Sequence, residues 1–258
     1  MTDHAAPDVP ADNGRWIRRY HPQPDAPVRL VCLPHAGGSA SFFFPMSRAL
    51  AGTAEVLAVQ YPGRQDRLNE TPIATIPLLA DAVYDALLPW TDRPLAFFGH
   101  SMGAIVAFET ARRLEREKGL VAAALFASGR RGPATLRSET VHEHDDDQLI
   151  DEIRKLSGTN TEILADPEII RMVLPAIRAD YRAVETYLRP PGPGLNCPLY
   201  ALTGDADPKV TVAEAEAWRA ETAGSFDLRV FDGGHFYLTR HQDAVNEAVA
   251  AGLRAYPA

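Results

Sequence analysis

The sequence predicts an α/β domain: a mainly parallel central sheet with helices on both faces and a helical lid inserted over one end. Three observations carry this. Short apolar runs alternate with longer helical patterns along the chain. Most runs are continuous rather than alternating, as expected of strands covered on both faces. One interval, from Gly129 to Pro198, far exceeds the roughly 20–30 residues of a single crossover, yet its pattern is not loop-like.

The strands are expected at "VRLVCLP" (28–34), "EVLAVQYP" (55–62), "PLAFFG" (94–99), "VAAALFASG" (121–129), "PLYALTG" (198–204) and "FDLRVFDGG" (226–234). Helices are expected over 41–50, 76–88, 104–119, 212–222 and 243–256, the third stopped by Gly119. In the long interval, "DDQLIDEIRKLSG" and "PEIIRMVLPAIRADYRAVETYL" are amphipathic. Asp145 with Gln148 three residues on fits a capping box, and Pro175 should kink or split the second helix. "RPPGPGLNCP" reads as a stiff linker back to the sheet. The organisation expected is a disordered lead-in over 1–14, then one domain over 15–258 with its lid at about 130–192. An independent subdomain there would bury too little surface to stand alone.

Composition narrows the function. Of 258 residues, 46% are hydrophobic and 23% charged, enough for a substantial core without a metal or disulfide staple. The net charge of −8 argues against non-specific binding to nucleic acid. No apolar run approaches the length of a transmembrane helix. "MTDHAAPDVPADNGR" has neither the basic nor the apolar region of a signal peptide. Cys32 and Cys197 sit in strand-like stretches and read as reduced core thiols, which points to the cytoplasm.

The chemistry is carried by "FFGHSMGAIVA", a G-x-S-x-G pentapeptide between a strand and a helix. Such a nucleophile elbow strains the serine backbone and lifts its hydroxyl, here Ser101, out of a sharp turn. Gly99 and Gly103 keep that turn free of side chains, and the following helix points its positive end at a developing oxyanion. A serine nucleophile needs a base and an orienting acid later in the chain. His235, in "FDGGHFYL", follows a strand on a Gly-Gly loop and is the candidate base. His4, His21, His142, His144 and His241 lie in polar or terminal stretches. The His100 ring should diverge from the hydroxyl, and His35 precedes the serine. For the acid, "TGDADPKV" offers Asp205 and Asp207. Asp205 suits a bond to its own turn, whereas Asp207 lies further out and can reach the imidazole. The oxyanion donors are expected to be the N–H groups of Met102 and of Ala36 in "PHAGGSA". His35 is either part of that site or a loop-shaping residue.

With these residues in place the chain resembles the type II thioesterases, free-standing editing hydrolases of polyketide and non-ribosomal peptide synthesis with the α/β-hydrolase fold. The carrying stretches are "LPHAGGSASFFFP" (33–45), "VQYPGRQDR" (59–67), "FFGHSMGAIVAFETARRL" (97–114), "LPAIRADYRAVETY" (174–187), "LTGDADPKVT" (202–211) and "GGHFYL" (233–238). "LSGTNTEIL" (156–164) matches the family's lid loop less closely. The resemblance places the nucleophile on Ser101, the acid on Asp207, the base on His235 and the oxyanion donors on Ala36 and Met102. It implies hydrolysis of acyl groups carried as thioesters on the phosphopantetheine arms of acyl or peptidyl carrier proteins, clearing stalled or mis-primed units, without metal or cofactor. "VHEHDDD" (141–147) reads as a solvated, capping helix lead-in rather than a metal site. Phe42, Phe43, Met172 and Tyr181 are candidate acyl-chain contacts, with core packing the alternative for the phenylalanines. Carrier proteins are acidic, so Arg64 and Arg67, or Arg130, Arg131 and Arg137, are candidate docking cations. A small-molecule carboxylesterase or acyltransferase uses the same fold. A non-catalytic carrier-binding protein is the alternative of another class.

Overall fold

The structure, a computed structural model, describes residues 13–156 and 167–256. In chain order the elements are α1 (Asn13–Trp16), β1 (Ile17–Arg18), β2 (Arg29–Leu33), α2 (Phe44–Ala49), β3 (Glu55–Val59), α3 (Ile76–Leu87), β4 (Leu95–His100), α4 (Met102–Lys118) and β5 (Leu125–Ser128). There follow α5 (Asp146–Lys155), α6 (Pro167–Glu185), β6 (Leu199–Gly204), α7 (Val212–Glu216), β7 (Phe226–Phe231), α8 (Tyr237–Arg240) and α9 (Gln242–Arg254). Residues 1–12 of the expected lead-in and most of the "LSGTNTEIL" loop lie outside the described residues, and Asn13 and Gly14 belong to α1.

The seven strands form one sheet in the order β1-β3-β2-β4-β5-β6-β7. β2 to β7 run parallel, and only β1 is antiparallel, pairing Ile17 with Val59. The continuous apolar runs are explained by what each face meets. Along β2, Val31 and Leu33 enter the cluster containing α3 and α4, while Leu30 and Cys32 enter the cluster containing α2, α8 and α9. β3 and β4 divide the same way, with Leu57, Val59 and Phe97 on one face and Val56, Ala58 and Phe98 on the other. Edge strand β7 has no fully buried position, as befits a strand with a neighbour on one side only.

A third cluster joins Val141, Leu149, Ile153, Leu174, Ile177 and Tyr181, packing α5 and α6 together over the carboxyl ends of the strands. Asp145 and Gln148 form the reciprocal capping box at the start of α5. Pro175 neither splits nor ends α6, which runs from Pro167 to Glu185 with the proline inside. A proline forfeits one ladder bond; here buried Leu174, Ala176 and Ile177 hold the helix on both sides of it. The helix expected over 212–222, by contrast, is interrupted, α7 passing into a 3-10 turn over Ala217–Glu221. Among the described residues no helix is long and apolar enough to cross a membrane.

Candidate active site

The candidate residues come from the carboxyl ends of the parallel strands, where open α/β sheets place their ligands. Ser101 sits between β4 and α4 at φ 54° and ψ −118°, a conformation that non-glycine residues rarely adopt. The flanking glycines have a steric cause. A Cβ on Gly99 would lie 2.2 Å from the Gly103 carbonyl oxygen, and one on Gly103 would lie 2.1 Å from that of Leu33. The Ser101 N–H donates to the Ser128 carbonyl at 2.8 Å, which ties the turn to β5.

His235 follows β7 and is 3% exposed. Its Nδ1 lies 2.8 Å from Oδ2 of Asp207, and the other Asp207 oxygen accepts the Lys209 N–H at 2.8 Å. Asp205 meets no imidazole; its Oδ1 accepts the Gly233 N–H at 2.9 Å and so steadies the loop before His235. With Nδ1 donating to a carboxylate, Nε2 is left as the basic nitrogen. His235 and Ser101 line one open cavity of about 480 Å³, together with Ala36, Tyr181, Arg130 and Lys209. Among the described residues the Ser101 hydroxyl has no hydrogen-bond partner, a looseness common before substrate arrives.

The loop after β2 is held from the lid. Asp180 of α6, fully buried, accepts the Gly37 N–H at 2.8 Å and pairs bidentately with Arg64 at 2.7 and 3.0 Å. Gly38 donates to the His35 carbonyl at 2.8 Å. Among the described residues Ala36 alone of these three keeps its N–H without a partner, and it lines the Ser101 cavity. Met102 opens α4, whose first N–H groups have no helical acceptor. The sequence carried the signal for the Asp180 clamp in its R-A-D and Y-P-G-R motifs, but nothing there paired one with the other.

Two more histidines surround His235. The His100 ring centroid is 5.0 Å from that of His235 and 5.9 Å from that of His35. His100 Nδ1 lies 2.9 Å from the Ser128 hydroxyl, itself 2.6 Å from that of Tyr237. Burial first, then the charge on His235, pushes His35 down to about 3 and His100 well below the ordinary histidine range. Both rings are therefore neutral at pH 7, so neither repels an imidazolium formed on His235.

The expected acyl contacts scatter. Tyr181 lines the Ser101 cavity. Phe42 stands edge-on to His35 at 4.8 Å, and with Phe43 it lines a separate cleft beside Leu238 and Val245. Phe43 is core, 5.9 Å from Phe98, and Met172 is half exposed on α6. Of the proposed docking cations, Arg64, Arg67 and Arg131 are buried and cannot form a surface patch. Each is consumed internally: Arg64 by Asp180, Arg67 by Glu70, Arg131 by Glu139.

A family model described as "Thioesterase domain" matches residues 28–253. The chain is 55% identical to the "Probable cadicidin biosynthesis thioesterase" of Streptomyces griseus, over 98% of this chain and 71% of that protein. It is 54% identical to "Thioesterase PikA5" of Streptomyces venezuelae, over 92% of this chain and 84% of that one. Among solved structures it is similar to "the type II thioesterase BorB from the borrelidin biosynthetic cluster", with a TM-score of 0.84 and 49% identity over 93% of this chain and 96% of that one.

Proposed function

The chain belongs to the thioesterase family, and from that premise we propose that it hydrolyses acyl thioesters on the phosphopantetheine arms of carrier proteins in polyketide or non-ribosomal peptide synthesis, removing stalled or mis-primed units. The observation that carries the reading is the buried His235–Asp207 hydrogen bond, opening onto the same cavity as a strained serine at a helix start.

In this reading Ser101 Oγ attacks the thioester carbonyl while His235 Nε2 takes its proton. Asp207 holds the imidazole in the tautomer that leaves Nε2 basic and stabilises the imidazolium. The tetrahedral oxyanion receives the N–H groups of Ala36 and Met102 at the positive end of α4. The carbon–sulfur bond then breaks, and the leaving thiolate takes the proton from His235. A thiol ionises near pH 8.5 and leaves readily, so hydrolysis of the acyl-serine is the slower half. There His235 deprotonates water, which attacks the ester carbonyl. The serine oxygen recovers the proton and the free carboxylic acid departs.

The test compares kcat/KM for a propionyl-loaded acyl carrier protein, propionyl-CoA and p-nitrophenyl propionate. The carrier thioester is expected to be the best substrate. A preference for the oxygen ester would favour a carboxylesterase instead.

A further inference from the structure

Arg130 follows β5, and its carbonyl is fixed by the Trp218 Nε1–H at 2.7 Å. Its neighbours in sequence and space are paired cations: Arg131 meets Glu139 at 2.6 Å, and Arg137 meets Glu214 at 2.6 Å. Arg130 is different. Among the described residues no carboxylate stands within ion-pair distance, and its Nε is buried without a hydrogen-bond partner. Two acids share its cavity and both are engaged elsewhere: Glu139 by Arg131, and Glu185 by the Val141 and His142 N–H groups and by the His142 ring. Burial, and next the charge of Arg131, lower the Arg130 guanidinium to about 9, which leaves it cationic at neutral pH. A half-buried cation with no ion-pair partner is costly to keep and is a mark of a functional position.

Its location says what the charge is for. Arg130 lines the Ser101 cavity and also a second cavity of about 650 Å³ at the root of the lid, and Val184 and Glu185 are shared by both. Arg131, with a buried and unpartnered Nη1, and Arg137 complete the basic wall of the second chamber. Arg130 thus stands in the wall common to the Ser101 cavity and the adjoining chamber, and among the described residues its guanidinium makes no ion pair.

We propose that Arg130 anchors a subsite for an anionic oxygen group of the substrate, a carboxylate on the acyl chain or the phosphate of the carrier arm. The proposal deepens the thioesterase reading and rests on it. The planar donor fork of arginine matches either group.

The experiment measures kcat/KM for two matched pairs with the wild type, Arg130→Gln and Arg130→Lys. The first pair is malonyl- and propionyl-N-acetylcysteamine, which differ by a carboxylate and carry no phosphate. The second is propionyl-phosphopantetheine and propionyl-pantetheine. In one pair the anionic-to-neutral ratio is expected to fall about 10-fold or more in Arg130→Gln, the scale of a charge-assisted hydrogen bond, with partial recovery in Arg130→Lys. A fall in the first pair assigns the carboxylate, and a fall in the second assigns the phosphate. If Arg130→Gln fails to fold, the wild type and Arg130→Lys decide: a wild-type preference for one anionic member, altered by Arg130→Lys, sustains the subsite. Ratios that are equal in all folded variants, or no anionic preference in the wild type, overturn it. A wild type that hydrolyses none of the four would instead count against the thioesterase reading.

Discussion

Two aspartates two residues apart are divided by their hydrogen bonds. Asp207 reaches His235, and Asp205 reaches the Gly233 N–H. Asp207→Asn should lower kcat by about 10³–10⁴-fold, the scale set by losing the correct imidazole tautomer. Asp205→Asn keeps a carbonyl oxygen for Gly233 and should cost far less. Steady-state kinetics on one thioester settles the order, and a larger loss in Asp205→Asn would move the acid. The serine, both aspartates and His235 were legible in sequence because each sits beside a glycine turn at a strand end. Asp180 was not. Its partners Gly37 and Arg64 are far away in the chain, and a lone aspartate in an amphipathic helix looks solvated until the fold brings an arginine to it. The solitude of Arg130 was equally invisible, since "GRRGP" does not say which arginine finds an acid.

At the scale of elements, α6 does more than cover the site. Through Asp180 it holds the loop that carries Ala36, so the position of the lid and the geometry of the expected oxyanion donor are mechanically linked. Asp180→Ala leaves Arg64 buried and unpaired and should destabilise the protein by about 3–5 kcal/mol. Adding Arg64→Met removes the stranded charge and should restore much of the thermal stability. The Gly37 N–H still lacks its acceptor in the double variant, so kcat should remain about 10-fold or more below wild type, within the range for a disturbed oxyanion donor. Recovery of kcat together with melting temperature would show that Asp180 serves stability alone. The strands β2 to β7 were readable from apolar runs, because two covered faces demand them. β1 was not, for a two-residue strand has no period to detect. α6 is not split at Pro175, because the packing of its flanks outweighs one lost hydrogen bond.

For the whole molecule, the sheet delivers its functional groups to one edge and buries His100 and His235 there with His35 half-buried beside them, and the burial has a price in acid. His35 and His100 bind protons more weakly folded than unfolded, so the unfolded chain takes up more protons as pH falls below their ordinary value of 6.5. Stability should therefore be full above pH 6.5 and decline below it, by up to about 1.4 kcal/mol per pH unit for each ring held neutral. Carboxylates such as Glu55, lowered further from an ordinary 4.5, add to the loss only at lower pH. Urea titrations between pH 7 and 5 should show this decline, and His35→Asn should flatten it; an unchanged slope in the variant would contradict the burial argument. The mainly parallel sheet, covered faces and lid were foreseeable from periodicity. The convergence of five strand ends, those of β2, β4, β5, β6 and β7, on a single cavity was not, since it depends on strand order, which no local pattern encodes. The central claim is that Ser101 is the nucleophile of that cavity. The most direct measurement is intact-protein mass spectrometry after incubation with a fluorophosphonate, followed by peptide mapping. One adduct on Ser101 in the wild type, none in a folded Ser101→Ala variant, and loss of thioester hydrolysis in step with labelling are predicted. A folded Ser101→Ala variant that still hydrolyses the thioester, or an adduct on another residue that abolishes activity, would contradict the account.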